Sequence, residues 1–325
     1  MADVIPIAAG RPEPGRCSAT TARGTRCRNR SVDETGLCRV HGGGRTVPRG
    51  KEDSLQRALA FIRTRLTGDY EIDEFGFDPQ LTQKVLAPVA RVFHQRWFRV
   101  EWIGTENVPE TGPALLVSNH AGTLPWDAIM MKFGTLDRCG RHVRLLAANL
   151  AFRLPFIGPL ARKSGNTLAT EEDALRLLES GQLLGVFPEG YKGLGKPYRE
   201  RYKLQRFGRG GFIEIALRAR APIVPVSIVG SEEIAPMIYD ARPLARLFGF
   251  PYFPITPTFP WLGPLGMVPL PSKWIVEFGE PIPTGEADED AWQDPLTVFD
   301  MTDRVRDLIQ QTLYRNLTAR RSVWY

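Results

Sequence analysis

Cysteine and histidine are scarce in this chain, four of each among 325 residues. Four cysteines and no export leader argue against a disulfide-stapled secreted domain and for a reducing, cytoplasmic setting. The apolar stretch Val4 to Ala9 is too short for the core of a signal peptide, Asp3 precedes it and no basic run leads in. Long apolar runs are also missing. The longest uncharged stretch, 247–272, carries seven prolines. In lipid such a backbone could not satisfy itself, so it is not read as a transmembrane helix. There is no Gly-x-Ser-x-Gly, which excludes the nucleophile elbow of an α/β-hydrolase esterase. No internal repeat is visible.

What is present is an ordinary globular balance, 43% hydrophobic and 24% charged residues. The net charge of +6 is concentrated in one place, because residues 11–50 hold nine arginines against three acids and the remainder is neutral. The pI near 9.2 therefore describes an N-terminal appendage and says nothing of the main domain's ligand. Three of the four cysteines, Cys17, Cys27 and Cys38, fall in that appendage and with His41 give the pattern C-x9-C-x10-C-x2-H. Such clustering, with too few apolar side chains nearby for a core, suggests a small module supported by structural Zn²⁺. The competing reading is a basic tail with incidental thiols. Its arginines could touch acidic phospholipid, a partner protein or, less in keeping with the rest, nucleic acid. Cys139, His94 and His142 read as structural.

Three units follow from composition: 1–50, the basic Cys/His-rich module; 51–79, a helix and an acidic, turn-rich linker; and 80–325, the main domain. Within 81–100, Leu81, Val85, Val89, Val92, Phe93, Trp97 and Val100 share a stripe accompanied by Lys84, Arg91, Arg96 and Arg99. This fits a helix packed on its own domain or one resting on a membrane surface. Beyond it, strands are predicted at 114–118, 143–147, 183–187, 223–229 and 274–278, with helices at 125–133, 171–180, 211–220 and 302–317. The alternation predicts an α/β fold, a mainly parallel sheet flanked by helices.

Two segments carry the chemistry. Ser118-Asn119-His120 ends one apolar run and leads to Asp127 in the first turn of the next predicted helix. At a strand's carboxyl end a histidine sits where α/β proteins bind ligands, and an aspartate on one ring nitrogen would fix its tautomer and support the imidazolium. The bland alternative is that Asp127 only caps its helix. Phe187-Pro188-Glu189-Gly190 ends a second run in a tight acidic turn, with Glu189 expected to face a cleft. A glycine-rich, cationic loop follows, including Lys192, suited to a phosphate-bearing substrate or an anionic surface.

These segments resemble the PlsC-like glycerolipid acyltransferases. The family's Asn-His-x4-Asp, Phe-Pro-Glu-Gly and Val-Pro-Val blocks are matched, in order, by Asn119-His120 with Asp127, by Phe187-Pro188-Glu189-Gly190, and by Val224-Pro225-Val226. Pro155 to Gly158 and Gly165-Asn166 resemble what lies between. The resemblance covers roughly 95–285. It implies that His120 deprotonates an acceptor hydroxyl and Asp127 orients it, with no covalent intermediate and no catalytic cofactor. Phe187, Pro188, Glu189, Gly190, Lys192 and Pro225 would hold substrate. The donor would be acyl-CoA or acyl-carrier protein, the acceptor a glycerolipid, and the setting the cytoplasmic surface of a membrane, peripherally bound.

This sequence departs from the family at three points. Six residues separate His120 from Asp127 instead of four, so the loop must bulge. Tyr191-Lys192 follows the acidic turn in place of Thr-Arg. The stretch 165–171 lacks the arginine that grips an acceptor phosphate, which raises a neutral acceptor, such as diacylglycerol or a long-chain alcohol, as an alternative. Arg162, Lys163 or Lys192 are the candidate substitutes. Two competing readings remain. Gly190 to Lys196 spells most of a P-loop, but Pro197 replaces its Ser or Thr. A catalytically inactive nucleic-acid- or partner-binding protein is the alternative of another class.

Overall fold

The computed structural model describes residues 15–19, 27–31, 36–38, 61, 63, 64, 68 and 70–324. His41 and nearly all of 51–66, where the helix of the 51–79 unit is expected, lie outside these residues.

Every predicted strand is present, and short ones that periodicity could not reveal join them. The strands are β1 (Glu101–Ile103), β2 (Ala114–Ser118), β3 (Val143–Ala147), β4 (Thr167–Leu168), β5 (Leu183–Val186), β6 (Ile223–Val229), β7 (Tyr239–Asp240), β8 (Pro254–Ile255) and β9 (Ile275–Phe278). Seven form one sheet in the order β1-β9-β6-β2-β5-β3-β4, while β7 and β8 pair apart from it. Within the large sheet only the β6–β9 pairing is antiparallel, so β9 and its parallel partner β1 run against the other five strands. The expected mainly parallel sheet is thus found, with a mixed edge.

The helices are α1 (79–97), α2 (Trp126–Cys139), α3 (Asn149–Arg153), α4 (Ile157–Lys163), α5 (Glu171–Glu179), α6 (Tyr191–Leu194), α7 (Gly211–Arg218), α8 (Arg242–Phe248) and α9 (Pro295–Ala319). In α1, Pro88 lacks an N–H and its ring crowds the carbonyl four residues back. The preceding turn widens to accommodate it, with Ala87 N–H bonded to Thr82 O. The α5 start follows its sequence signature, Thr170 accepting from Asp173 N–H at 3.4 Å, and Gly181 ends it at φ +77°. Helix α9 begins earlier than predicted because Asp294 caps it, accepting from the N–H groups of Leu296 and Thr297, with Pro295 in the first turn.

Strand β2 shows how the sheet is buried on both faces. Leu115 and Val117 point into a core with α5, α7 and α9, whereas Ala114 and Leu116 point into a second core with α1 and α2. Burial on both faces is what a continuous apolar run permits and what crossover helices require. The end of the expected linker is bound to this domain. Phe77 and Asp78 are buried, Asp78 N–H donates to Lys163 O at 2.9 Å, and Asp73 pairs with Arg144.

Candidate active site

Because β2 and β5 are parallel neighbours with Val117 opposite Val186, the segments that follow them emerge side by side. The register brings Asn119-His120 and Phe187–Gly190 together although they lie far apart in sequence. Asn119 fixes the exit from β2. Its Oδ1 accepts from Ile228 N–H at 2.8 Å and its Nδ2 donates to Ile228 O at 3.0 Å, extending the β2–β6 pairing with a side chain.

His120 Nδ1 lies 2.8 Å from Asp127 Oδ2. The longer loop does bulge, and its backbone shows how. Gly122 takes φ +96° and Thr123 φ +67°. A Cβ on Gly122 would stand 2.4 Å from Ser231 O, so glycine is required there on two counts. Pro125 serves as the helix cap rather than its first residue, and Asp127 falls in the first turn of α2. The Asp127 carboxylate also accepts from Ala121 N–H at 2.7 Å and Ala128 N–H at 2.7 Å. Pairing with histidine and capping a helix end are therefore not alternatives; the one carboxylate does both. Asp127 is wholly buried while the His120 side chain keeps 10% of its surface.

The acidic turn differs from expectation at Glu189. Its carboxylate does not face a cleft. It is turned inward, with Oε1 accepting from His120 N–H at 2.9 Å and Oε2 from Gln205 N–H at 2.6 Å. Burial pushes this carboxyl up, against the lowering influence of Lys196 and of the two amides. Glu189 thus braces the His120 backbone. Phe187 lies against the imidazole with ring centroids 4.4 Å apart, next to half-buried Pro188. Gly190 adopts φ +54°, ψ −138°, a conformation reserved for glycine. Gly193 permits α6 to approach so closely that a Cβ there would be 2.4 Å from His120 O. Lys192 is exposed on α6. Pro225 is a correction: it is buried in mid-β6 opposite Val117, so the structure does not bring it to the imidazole.

Sequence reasoning missed several neighbours. Lys196, which mimics a P-loop lysine, is buried against Glu232 Oε1 at 2.8 Å and donates to Lys203 O at 3.0 Å, so it is committed inside the protein. Burial pushes Glu232 up. Tyr252 donates its hydroxyl to Thr123 O, tying the proline-rich segment to the His120–Asp127 loop. Beside the acidic turn, Leu150, Arg153, Tyr191, Gly249, Phe250 and Pro251 line an open cleft of about 340 Å³. Arg162 and Lys163 lie instead over the rings of Phe152 and Tyr70.

Away from this site, the Sγ atoms of Cys17, Cys27 and Cys38 lie within 4.8 Å of one another, all buried. Cys139 stands apart, its thiol directed at Thr105 O at 3.5 Å.

A family model described as Acyltransferase matches residues 99–229, the stretch that holds His120, Asp127 and the acidic turn. An uncharacterized protein of Mycobacterium tuberculosis is 57% identical over 281 residues, covering 86% of this chain and 78% of its own length. A "DGAT1/2-independent enzyme synthesizing storage lipids" of Gallus gallus is 29% identical over 187 residues, 58% of this chain and 53% of that one. Among solved structures, the 1-acyl-sn-glycerophosphate (LPA) acyltransferase PlsC of Thermotoga maritima shares the fold. Its TM-score is 0.52 at 19% identity, covering 82% of this chain and 90% of that one.

Proposed function

The chain belongs to the PlsC-like glycerolipid acyltransferase family, in a divergent branch of it, and on that premise we propose that His120 is the general base of an acyl transfer from a thioester to a lipid hydroxyl. The observation that carries this reading is the 2.8 Å contact between His120 Nδ1 and a buried Asp127. With Nδ1 held, Nε2 is the nitrogen that takes the hydroxyl proton. The alkoxide oxygen attacks the thioester carbonyl and a C–O bond forms. The tetrahedral intermediate collapses as the C–S bond breaks, and the leaving thiolate recovers the proton from the imidazolium. No acyl-enzyme is formed. The Gly190 N–H is engaged by Phe187 O at 3.0 Å, so the Gly122 amide is the better candidate donor to the oxyanion. The donor is acyl-CoA or acyl-carrier protein.

The acceptor is the hydroxyl of a glycerolipid, entering by the cleft beside Tyr191. Arg153 is the cation among the residues lining that cleft and would face an acceptor phosphate. A neutral acceptor is the second reading. It is supported by the apolar Leu150 and Phe250 in the same cleft, and by relatives named for storage-lipid synthesis. The protein works at a membrane surface; among the described residues no helix is long and apolar enough to cross one.

Purified protein given labelled acyl-CoA with lysophosphatidate, diacylglycerol or a fatty alcohol distinguishes these acceptors. With a phosphate-bearing acceptor, Arg153→Ala should raise KM about tenfold; with a neutral one it should change KM little. Label entering none of the lipids would leave the inactive binding protein as the better reading.

A further inference from the structure

We propose that Cys17, Cys27 and Cys38 hold a Zn²⁺ ion that keeps the N-terminal module folded, with the fourth ligand sought, on sequence spacing alone, at His41, which lies outside the described residues. The three thiols meet across separate turns of chain. Arg16 and Arg30 form an antiparallel bridge, and Cys17 N–H donates to Asn29 O at 2.8 Å. Ser18 N–H donates to Gly36 O at 2.9 Å, which brings the Cys38 segment alongside.

Four observations separate a metal site from incidental thiols. First, Cys27 Sγ and Cys38 Sγ are 4.0 Å apart, about twice the length of an S–S bond. They are close to the ~3.8 Å that two thiolates keep when each sits ~2.3 Å from a tetrahedral Zn²⁺. Second, three clustered thiols are an odd number and cannot all pair as disulfides. Third, the sulfurs receive hydrogen bonds as metal thiolates do, from Cys38 N–H to Cys17 Sγ at 3.3 Å and from Asn29 Nδ2 to Cys38 Sγ at 3.8 Å. Fourth, all three are fully buried, and among the described residues the apolar side chains packed on them are Ala19 and Leu37. A Cys₃His set would make a closed structural zinc site, and the sequence spacing Cys38-x2-His41 makes His41 the fourth ligand to test. The module also touches the main domain, Arg30 N–H donating to Glu110 Oε2 at 3.3 Å.

The test uses the full-length protein, purified without chelator from zinc-supplemented culture. Elemental analysis should find about one zinc per chain. Cys27→Ser and His41→Ala should each lower that content about tenfold, and Cys139→Ser should leave it unchanged. Since a serine variant could simply misfold the module, the wild type supplies a second reading. Exchange with Co²⁺ should give a thiolate-to-cobalt charge-transfer band and the intense visible bands of a tetrahedral site. Stripping the metal should expose Cys17, Cys27 and Cys38, but not Cys139, to alkylation read by mass spectrometry. Wild-type protein without zinc and without a cobalt spectrum overturns the proposal. Full zinc retention in His41→Ala overturns the assignment of the fourth ligand. Neither result bears on His120, which belongs to a different part of the chain.

Discussion

At His120, orientation is set from two sides. Asp127 holds the ring through Nδ1, and Glu189 holds the backbone through the His120 N–H. Glu189 is therefore a positioning residue, and Glu189→Gln is the informative change. An amide has one oxygen to accept with, so its NH₂ would confront either the His120 or the Gln205 N–H. One buried donor is then left unsatisfied, at a cost of about 1–3 kcal/mol. The expected outcome is a thermal midpoint lowered by several degrees and kcat reduced about tenfold, with KM changed less. A variant matching wild type in both would show that the brace is dispensable. The acidic turn was visible in the sequence, but the direction of its carboxylate was not. Direction depends on Gln205 and Lys196, which come from a loop that reads as glycine-rich and cationic, yet Lys196, Tyr202, Leu204 and Phe207 are all buried.

Between elements, α1 and β3 meet through His142, where Gln83 Nε2 lies 2.9 Å from His142 Nε2. An amide NH₂ donating there requires the ring nitrogen to be unprotonated. Burial first, then the charges of Lys132 and Arg144, push this histidine down from 6.5 to about 4. A histidine with a depressed folded value binds its proton less readily in the folded protein than in the unfolded chain. Its contribution to stability is whole above about 6.5 and is lost as pH falls from there toward about 4. Denaturant midpoints should therefore fall across that window in wild type, and less so in His142→Gln. Equal slopes would assign the loss to other groups. At this scale the sequence was most readable where runs were long. Strands β2, β3 and β6 lie where the apolar runs predict them, whereas β1, β4, β7 and β8 are too short to show a period; β1 and β4 add to the edges of β9 and β3, and β7 and β8 pair with each other. Pro225 shows the opposite failure. It belongs to the Val-Pro-Val block, yet its place is inside the sheet.

Across the whole molecule, the site occupies the carboxyl edge of the parallel strands, and apolar side chains stand exposed on the segments around it. Phe156 is 90% exposed, and Leu247 and Leu265 each 74%; Phe248 packs 6.4 Å from Phe250, which lines the cleft. Patches of this kind usually mark an interaction surface, and a substrate dissolved in a bilayer would make that surface the membrane itself. Replacing Leu247 and Phe248 by serine should weaken co-sedimentation with phosphatidylcholine vesicles severalfold while leaving the thermal midpoint within about 1 °C. Unaltered sedimentation would place the contact elsewhere. Anionic vesicles provide a useful contrast, because the chain's excess positive charge lies within residues 11–50. The central claim concerns a single imidazole, and its most direct measurement is the rate of labelled ester formation by His120→Ala beside wild type, with folding of both checked by circular dichroism. The expected result is a loss of about 10²–10⁴-fold in a variant that remains folded; equal rates in a folded variant would contradict it.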